Sequence, residues 1–378
     1  LNSWIENNSN NRNIPAAKDL VKRIIADEEE NRKKKRKILN DIYRNPNTYT
    51  PNEIREFLNN GVLFEQELLD IDIPQSAIDN LENVHAPELQ LGVTPSCIPE
   101  GYTEVYFWGG TGSGKTCALG AILHMAEKEG YLNIATGDGY LYANQVKNIF
   151  SDDNIANDFL PAPSPVEATQ YLPFTLKKPN EKRSRSVSLI ELSGEIFKCF
   201  FHKISTGEFP SASHENTFNS LDTFLKSKNR KIHFFFIDYA RENISDNTGI
   251  KQSDYLAAAS TYFDDNKVFA KTADAIYLVL TKSDLLRDEN DNFIPQENRA
   301  DYAEKYLEEN NYKAFKNTMK SICEKHSING GFLTVQPFSL GKVYFKEICD
   351  FEGSSASELL QILLNRIPKT RKSILLNK

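Results

Sequence analysis

The sequence predicts an α/β fold: helices on both faces of a mainly parallel sheet, three layers in all, with a small helical region ahead of it. Three observations predict it. Apolar runs that read as strands (103–108, 171–176, 187–192, 232–237, 276–280 and 332–335) alternate with segments of helical character. A glycine-rich loop at 109–116 joins the first of those strands to a helix. A stretch holding Pro87, Pro95 and Pro99 sets the alternating part off from the short helices before it. With 378 residues, 40% hydrophobic and 26% charged, the chain can build one large globular domain and a smaller one.

The expected organisation is a helical region at 1–84, a linker at 85–101 and an α/β domain at 102–378. Residues 1–14 are asparagine-rich and read as frayed. From Pro15 to Tyr43 the pattern is helical, with apolar stripes at Leu20, Val21, Ile24, Ile25 and again at Ile38, Leu39, Ile42. Between them, Glu28–Arg32, Glu29–Lys33 and Glu30–Lys34 have the spacing of ion pairs along one helix face. Thr50-Pro51-Asn52-Glu53 is a helix start, with Thr50 as cap and Glu53 completing a capping box. In the large domain, Tyr171–Leu176 and Val187–Leu192 flank a basic turn and pair as a hairpin, while Ser357–Arg366 forms a last helix.

Gly109-Gly110-Thr111-Gly112-Ser113-Gly114-Lys115-Thr116 fits G-x-x-x-x-G-K-[ST] at every fixed position. A triphosphate needs many donors converging on a small, highly charged volume. Glycines let the backbone wrap close with its N–H groups inward, and the following helix, from Cys117 on, adds free amides and its positive dipole end. Lys115 supplies a point charge for the β- and γ-phosphates, and the Thr116 hydroxyl is the natural ligand for Mg²⁺. Strand, loop and helix together make this a three-layer P-loop NTPase domain.

The base is argued separately. The strand Ala275–Leu280 runs into Thr281-Lys282-Ser283-Asp284. Guanine presents two adjacent donors, N1–H and the N2 amino group, and one carboxylate can accept from both; adenine has no such pair. Asp284 is placed for that contact, and the stem of Lys282 can lie over the base. Here the chain resembles the translation-factor-like class of P-loop GTPases, whose base motif is [NT]-K-x-D, from about Glu104 to the C-terminus. The resemblance implies GTP and GDP as ligands with Mg²⁺ as cofactor. It also implies a late loop touching guanine through its backbone, which Ser339 and Leu340 match.

The resemblance weakens at the metal-side switch. The class has D-x-x-G, and this chain has Glu191-Leu192-Ser193-Gly194 followed by Glu195. A Glu carboxylate can still hold a Mg²⁺-bound water, Gly194 can still offer its N–H to the γ-phosphate, and Glu195 stands where a water-positioning Gln is often found. Thr169 resembles the threonine that meets Mg²⁺ from the other switch. The expected catalytic set is therefore Lys115, Thr169, Gly194 and Glu195, and the metal set Thr116, Thr169 and Glu191. The proline-rich loop at 160–165, Ala168-Thr169, the hairpin and Ser193-Gly194-Glu195 are similar to bacterial "double-GTPase" proteins. That narrower resemblance implies a second GTPase and an effector as partners.

Two other readings stay open. His233–Ile237 is an apolar strand ending in Asp238, which looks like the Walker B acid of an ATPase, although no second acid follows it. A scaffold that binds nucleotide without turnover would also tolerate the altered switch. No arginine finger can be named from the sequence: Arg241 is a candidate only by its closeness to that strand, and a surface arginine is the better reading. The net charge of -7 argues against coating nucleic acid or an anionic membrane, so the expected partner is a protein, met by residues 15–84 and the switch loops. Five dispersed cysteines suit a reducing, cytoplasmic setting, and the six histidines form no metal-ligand spacing. The first residue is Leu1, so processing or a longer parent chain is left open.

Overall fold

The computed structural model describes residues 14–84, 89, 98–134, 136, 137, 139–150, 158–161 and 169–370. Nearly all of the expected frayed start, most of the linker at 85–101 and most of the proline-rich loop at 160–165 lie outside these residues. Two compact units divide the chain: Leu1–His85 with Val343–Ile348, and Ala86–Lys342 with Cys349–Lys378.

The first unit is helical. Helix α1 (Ile14–Arg44) is followed by α2 (Pro51–Asn59), α3 (Glu65–Leu69) and α4 (Gln75–Asp79). Thr50 and Glu53 form the reciprocal capping box, with the Thr50 N–H donating to Glu53 at 2.7 Å. Ile38 and Ile42 of α1 are buried, as are Ile54, Leu63, Leu68 and Ile78. Towards the start of α1 the apolar side chains are exposed instead: Leu20, Ile24 and Ile25 are 44–51% accessible. Lys35 of α1 pairs with Glu67 of α3 at 2.7 Å, an ion pair between helices where the sequence offered pairs within one. The segment 343–348 joins this unit through the Phe345 N–H, which donates to the Pro46 carbonyl at 2.8 Å.

The second unit is built on a seven-stranded sheet. Its strands are β1 (Thr103–Gly109), β2 (Leu132–Ile134), β4 (Gln170–Leu176), β5 (Arg185–Glu191), β6 (Lys231–Asp238), β7 (Ala273–Thr281) and β8 (Thr334–Phe338), in the order β2-β4-β5-β1-β6-β7-β8. Strands β5, β1, β6, β7 and β8 run parallel, and the β4–β5 hairpin is antiparallel. The central parallel strands β1, β6 and β7 are buried on both faces, which is why they read as nearly unbroken apolar runs. Trp108 of β1 and Phe235 of β6 pack with Phe200 and Phe263, all nearly inaccessible. The Trp108 indole N–H donates to Nδ1 of buried His233 at 3.1 Å, which satisfies a polar atom that burial would otherwise strand.

Parallel alignment brings the carboxyl ends of β5, β1, β6, β7 and β8 to one edge. Glu191, Gly109, Asp238, Thr281 and Phe338 end those strands, so every loop that could touch a ligand leaves from the same side. Two expectations need correcting. Strand β8 starts at Thr334, and Phe332 is 72% exposed rather than buried. Short strands β2, β3 (Asp158–Phe159), β9 (Gly341–Tyr344) and β10 (Ile348–Phe351) were not legible in the sequence.

Candidate functional site

Between β1 and helix α5 (Lys115–Lys128) the loop 109–114 turns through Gly112 and Gly114, both left-handed with φ of 75° and 86°. The Lys115 ammonium folds back over the loop and donates to the carbonyls of Gly109 and Gly110, at 2.7 and 2.9 Å. Lys115 is only 6% exposed. Burial pulls its pKa down to about 8; Glu191 opposes that and Arg241 adds to it. Cys117, next along the helix, has its thiol pushed up to about 12, mainly by burial, so it stays a neutral, unreactive group.

Because β5 lies directly beside β1, its last residue, Glu191, reaches the start of α5. The Thr116 hydroxyl donates to one Glu191 oxygen, and the Tyr142 hydroxyl donates to the other at 2.8 Å. Glu191 is 3% exposed; burial raises its pKa, while Thr116, Lys115 and Tyr142 oppose the rise. Tyr142 comes from helix α6 (Tyr140–Lys147) and was not singled out in the sequence; burial first, then Glu191, hold its phenol far above the ordinary range and keep it a donor. In the antiparallel register Gln170 faces Glu191, so Thr169, half-buried, stands one residue beyond that pairing at the same end.

Gly194 presses against the phosphate loop. A Cβ there would fall 2.1 Å from the Thr111 nitrogen, so only glycine lets the chain pass this close. The next residue turns away: the Glu195 carboxylate meets Lys198 at 2.7 Å and the His214 Nε2 at 3.6 Å, on helices α7 (Ile196–Ser205) and α8 (Ala212–Leu225).

At the other end, Lys282 is left-handed (φ 56°) and turns β7 into the 3-10 segment Ser283–Leu285. The Ser339 hydroxyl donates to the Asp284 carboxylate at 2.8 Å, joining two loops far apart in sequence. Burial raises the Asp284 pKa, and the Ser339 hydrogen bond works against it. Leu340 is half-buried, and its carbonyl accepts from the Glu352 N–H at 2.7 Å. The Lys282 ammonium sits on Asp238 at 2.8 Å. Asp238 is fully buried and also accepts from the Ala240 N–H at 3.0 Å, so the acid considered for Walker B is engaged with the base-side lysine, while Glu191 holds Thr116. Arg241 is not a free surface residue: its guanidinium donates to the Thr111 carbonyl of the phosphate loop.

The oxygen donors Thr116, Glu191 and Thr169 suit a hard cation such as Mg²⁺, which prefers few protein ligands beside phosphate and water. Among the described residues there is no cluster of three or more His, Cys, Asp or Glu that could hold a metal without such help.

No protein-family model matches the sequence, and no curated protein matches it. Solved structures similar to it include a signal recognition particle receptor SRb-GTP/SRX complex from Chaetomium thermophilum (16% identity, 71% of this chain and 100% of that one, TM-score 0.36). Others are the Ski7 GTPase-like domain of S. cerevisiae bound to GTP (15%, 72% and 52%, TM-score 0.33) and a nucleolar GTP-binding protein 1 from Plasmodium falciparum (14%, 72% and 95%, TM-score 0.28). At these identities and scores they do not bear on activity. On its own strand order and phosphate loop, the chain has the P-loop NTPase fold.

Proposed function

We propose that the chain is a Mg²⁺-dependent GTP-binding switch that hydrolyses GTP slowly. The observation that carries this reading is the Asp284–Ser339 pair standing on the same sheet edge as Lys115, Thr116 and Glu191. A carboxylate poised by a serine hydroxyl can accept both edge donors of guanine, with Lys282 and Leu340 beside it. Amides of Gly110–Thr116 and Cys117, with Lys115, take the phosphates. Thr116 and Glu191, with Thr169, would hold Mg²⁺, which neutralises charge on the phosphate oxygens. Gly194, already against Thr111, can offer its N–H to the γ-phosphate.

Slow turnover is supported by Glu195, whose carboxylate is paired with Lys198 at 2.7 Å. To position water it has to leave that partner. The same observation favours a second reading, a nucleotide-binding scaffold without turnover. An ATPase using Asp238 is disfavoured, because that carboxylate is committed to Lys282 and Ala240. The exposed Leu20, Ile24 and Ile25 support a protein partner on residues 15–84, in concert with the switch loops; by resemblance that partner is an effector or another GTPase. The four described cysteines are free thiols, which supports a cytoplasmic setting, and no helix among the described residues is long and apolar enough to cross a membrane.

Single-turnover hydrolysis of GTP by the parent, Glu195→Gln and Glu195→Ala tests the enzyme reading. Measurable turnover in the parent, altered in both variants, is expected. Tight GTP binding with no turnover hands the case to the scaffold.

A further inference from the structure

We infer that Arg241 is a catalytic arginine supplied from within the chain, reaching the γ-phosphate across Thr111. The inference rests on the GTP hydrolysis proposed above and adds a residue to it.

The first support is position. Arg241 ends the 3-10 turn Tyr239–Arg241 that follows β6, and its guanidinium donates to the Thr111 carbonyl. Nη1 also lies 3.9 Å from where a Cβ on Gly112 would be. Thr111 is the loop residue against which Gly194 packs, so Arg241 and the γ-phosphate-side glycine converge on one point of the cradle.

The second is chemistry. Among the described residues no carboxylate lies within ion-pairing distance of Arg241, although its neighbour Glu242 accepts from the Tyr306 hydroxyl at 2.6 Å. A half-buried guanidinium carries five N–H donors and is poorly served by one neutral carbonyl. Lys115 rests in the same way on Gly109 and Gly110, so two cations occupy three successive carbonyls of a phosphate loop. An anion between them would relieve their mutual repulsion.

The third is rigidity. Asp238 holds the turn through the Ala240 N–H, and Gln252 clamps Asp238 from both sides, accepting from its N–H and donating to its carbonyl, each at 3.0 Å. On the far side, Tyr239 packs edge-on against Tyr306. Side chains carried on such a turn stabilise a transition state without reorganising. Asp238 further grips Lys282, so an unbroken line of contacts runs from the base motif to Thr111.

In the step itself, water oxygen bonds to Pγ while the Pγ–O bond to the β-phosphate breaks. The electron pair leaves with GDP, and the proton of water passes to phosphate and solvent. Arg241 donates to the oxygens on which charge grows.

The test uses the full chain and its Arg241→Ala and Arg241→Lys variants. Single-turnover GTP hydrolysis, GDP affinity and the tightening of GDP by aluminium fluoride, a mimic of the transferring phosphoryl group, are measured on each. The expected result is a fall of about 10³-fold in hydrolysis for Arg241→Ala, with GDP affinity within about threefold and the fluoride effect lost. Arg241→Lys keeps GDP binding and restores hydrolysis only in small part, since lysine lacks the fork. Hydrolysis in Arg241→Ala within about threefold of the parent overturns the inference, as does an equal loss of GDP affinity and rate, the mark of a residue that only shapes the loop. A parent that hydrolyses no GTP takes down the underlying reading, and this inference with it.

Discussion

At the phosphate end of the site the polar groups are buried and already tied to one another, whereas at the base end Asp284 is half-buried and leans on one serine hydroxyl. Glu191, Thr116, Tyr142 and Lys115 come from adjoining strands and the helices packed on them, and each has a partner within the protein. Asp284 and Ser339 come from loops 55 residues apart. On the function proposed above, the difference would give affinity and selectivity separate origins: a cradle tied together within the protein would grip any triphosphate, and a pair of loops would select the ring.

That division can be broken most forcefully at Lys115. Lys115→Met should weaken GTP, ATP and XTP alike by about 10³-fold, because a buried charge facing phosphate is lost whatever the base; equilibrium titration of each nucleotide measures it. A loss confined to GTP would contradict the separation.

Glu191→Gln keeps the shape and removes the charge beside Thr116. Hydrolysis should fall by about 10²-fold and demand more Mg²⁺, with GDP affinity in the absence of Mg²⁺ little changed, as a magnesium titration of the rate would show. A smaller effect, about tenfold on the same titration, is expected for Tyr142→Phe, which removes one donor from Glu191 and leaves the carboxylate in place. If Tyr142→Phe proves the more damaging of the two, Glu191 is not the metal-side acid.

The smallest effect is a proton. With its pKa near 8, Lys115 is half-charged at pH 8 in the free protein, and phosphate draws it fully into the ammonium form. Nucleotide binding should therefore take up about half a proton at pH 8, almost none at pH 6.5, and more as pH rises. Calorimetry in two buffers of different ionisation enthalpy reads the uptake directly. Proton release at pH 8 would mean that Lys115 does not face phosphate.

Legibility followed the same division. The phosphate loop could be read because its residues are contiguous, and the buried strands because parallel pairing makes them plain apolar runs. Strand β8 was misplaced because Phe332-Leu333 extend its apolar run at the start, while Pro337 falls within its far end. It lies on the edge of the sheet, where one side of the strand owes no hydrogen bonds, and proline is tolerated there. Tyr142 was missed because helical periodicity places α6 but does not tell which neighbour its tyrosines meet. Arg241 was assigned to the surface for a related reason. Its partner is a backbone carbonyl 130 residues away, which leaves no trace in side-chain spacing. The tip of the β9–β10 hairpin gave no sign that it belongs with the helical unit.

The central claim, that the Asp284 carboxylate reads guanine, is tested most directly by titrating GTP, GDP, XTP and ATP against the parent chain and against Asp284→Asn. The parent should prefer GTP over ATP by at least about 10²-fold, and Asp284→Asn should lose GTP while gaining XTP, whose ring offers an acceptor where guanine has an amino group. Equal affinity of the parent for ATP and GTP, or an Asp284→Asn variant that binds all four as the parent does, would contradict it.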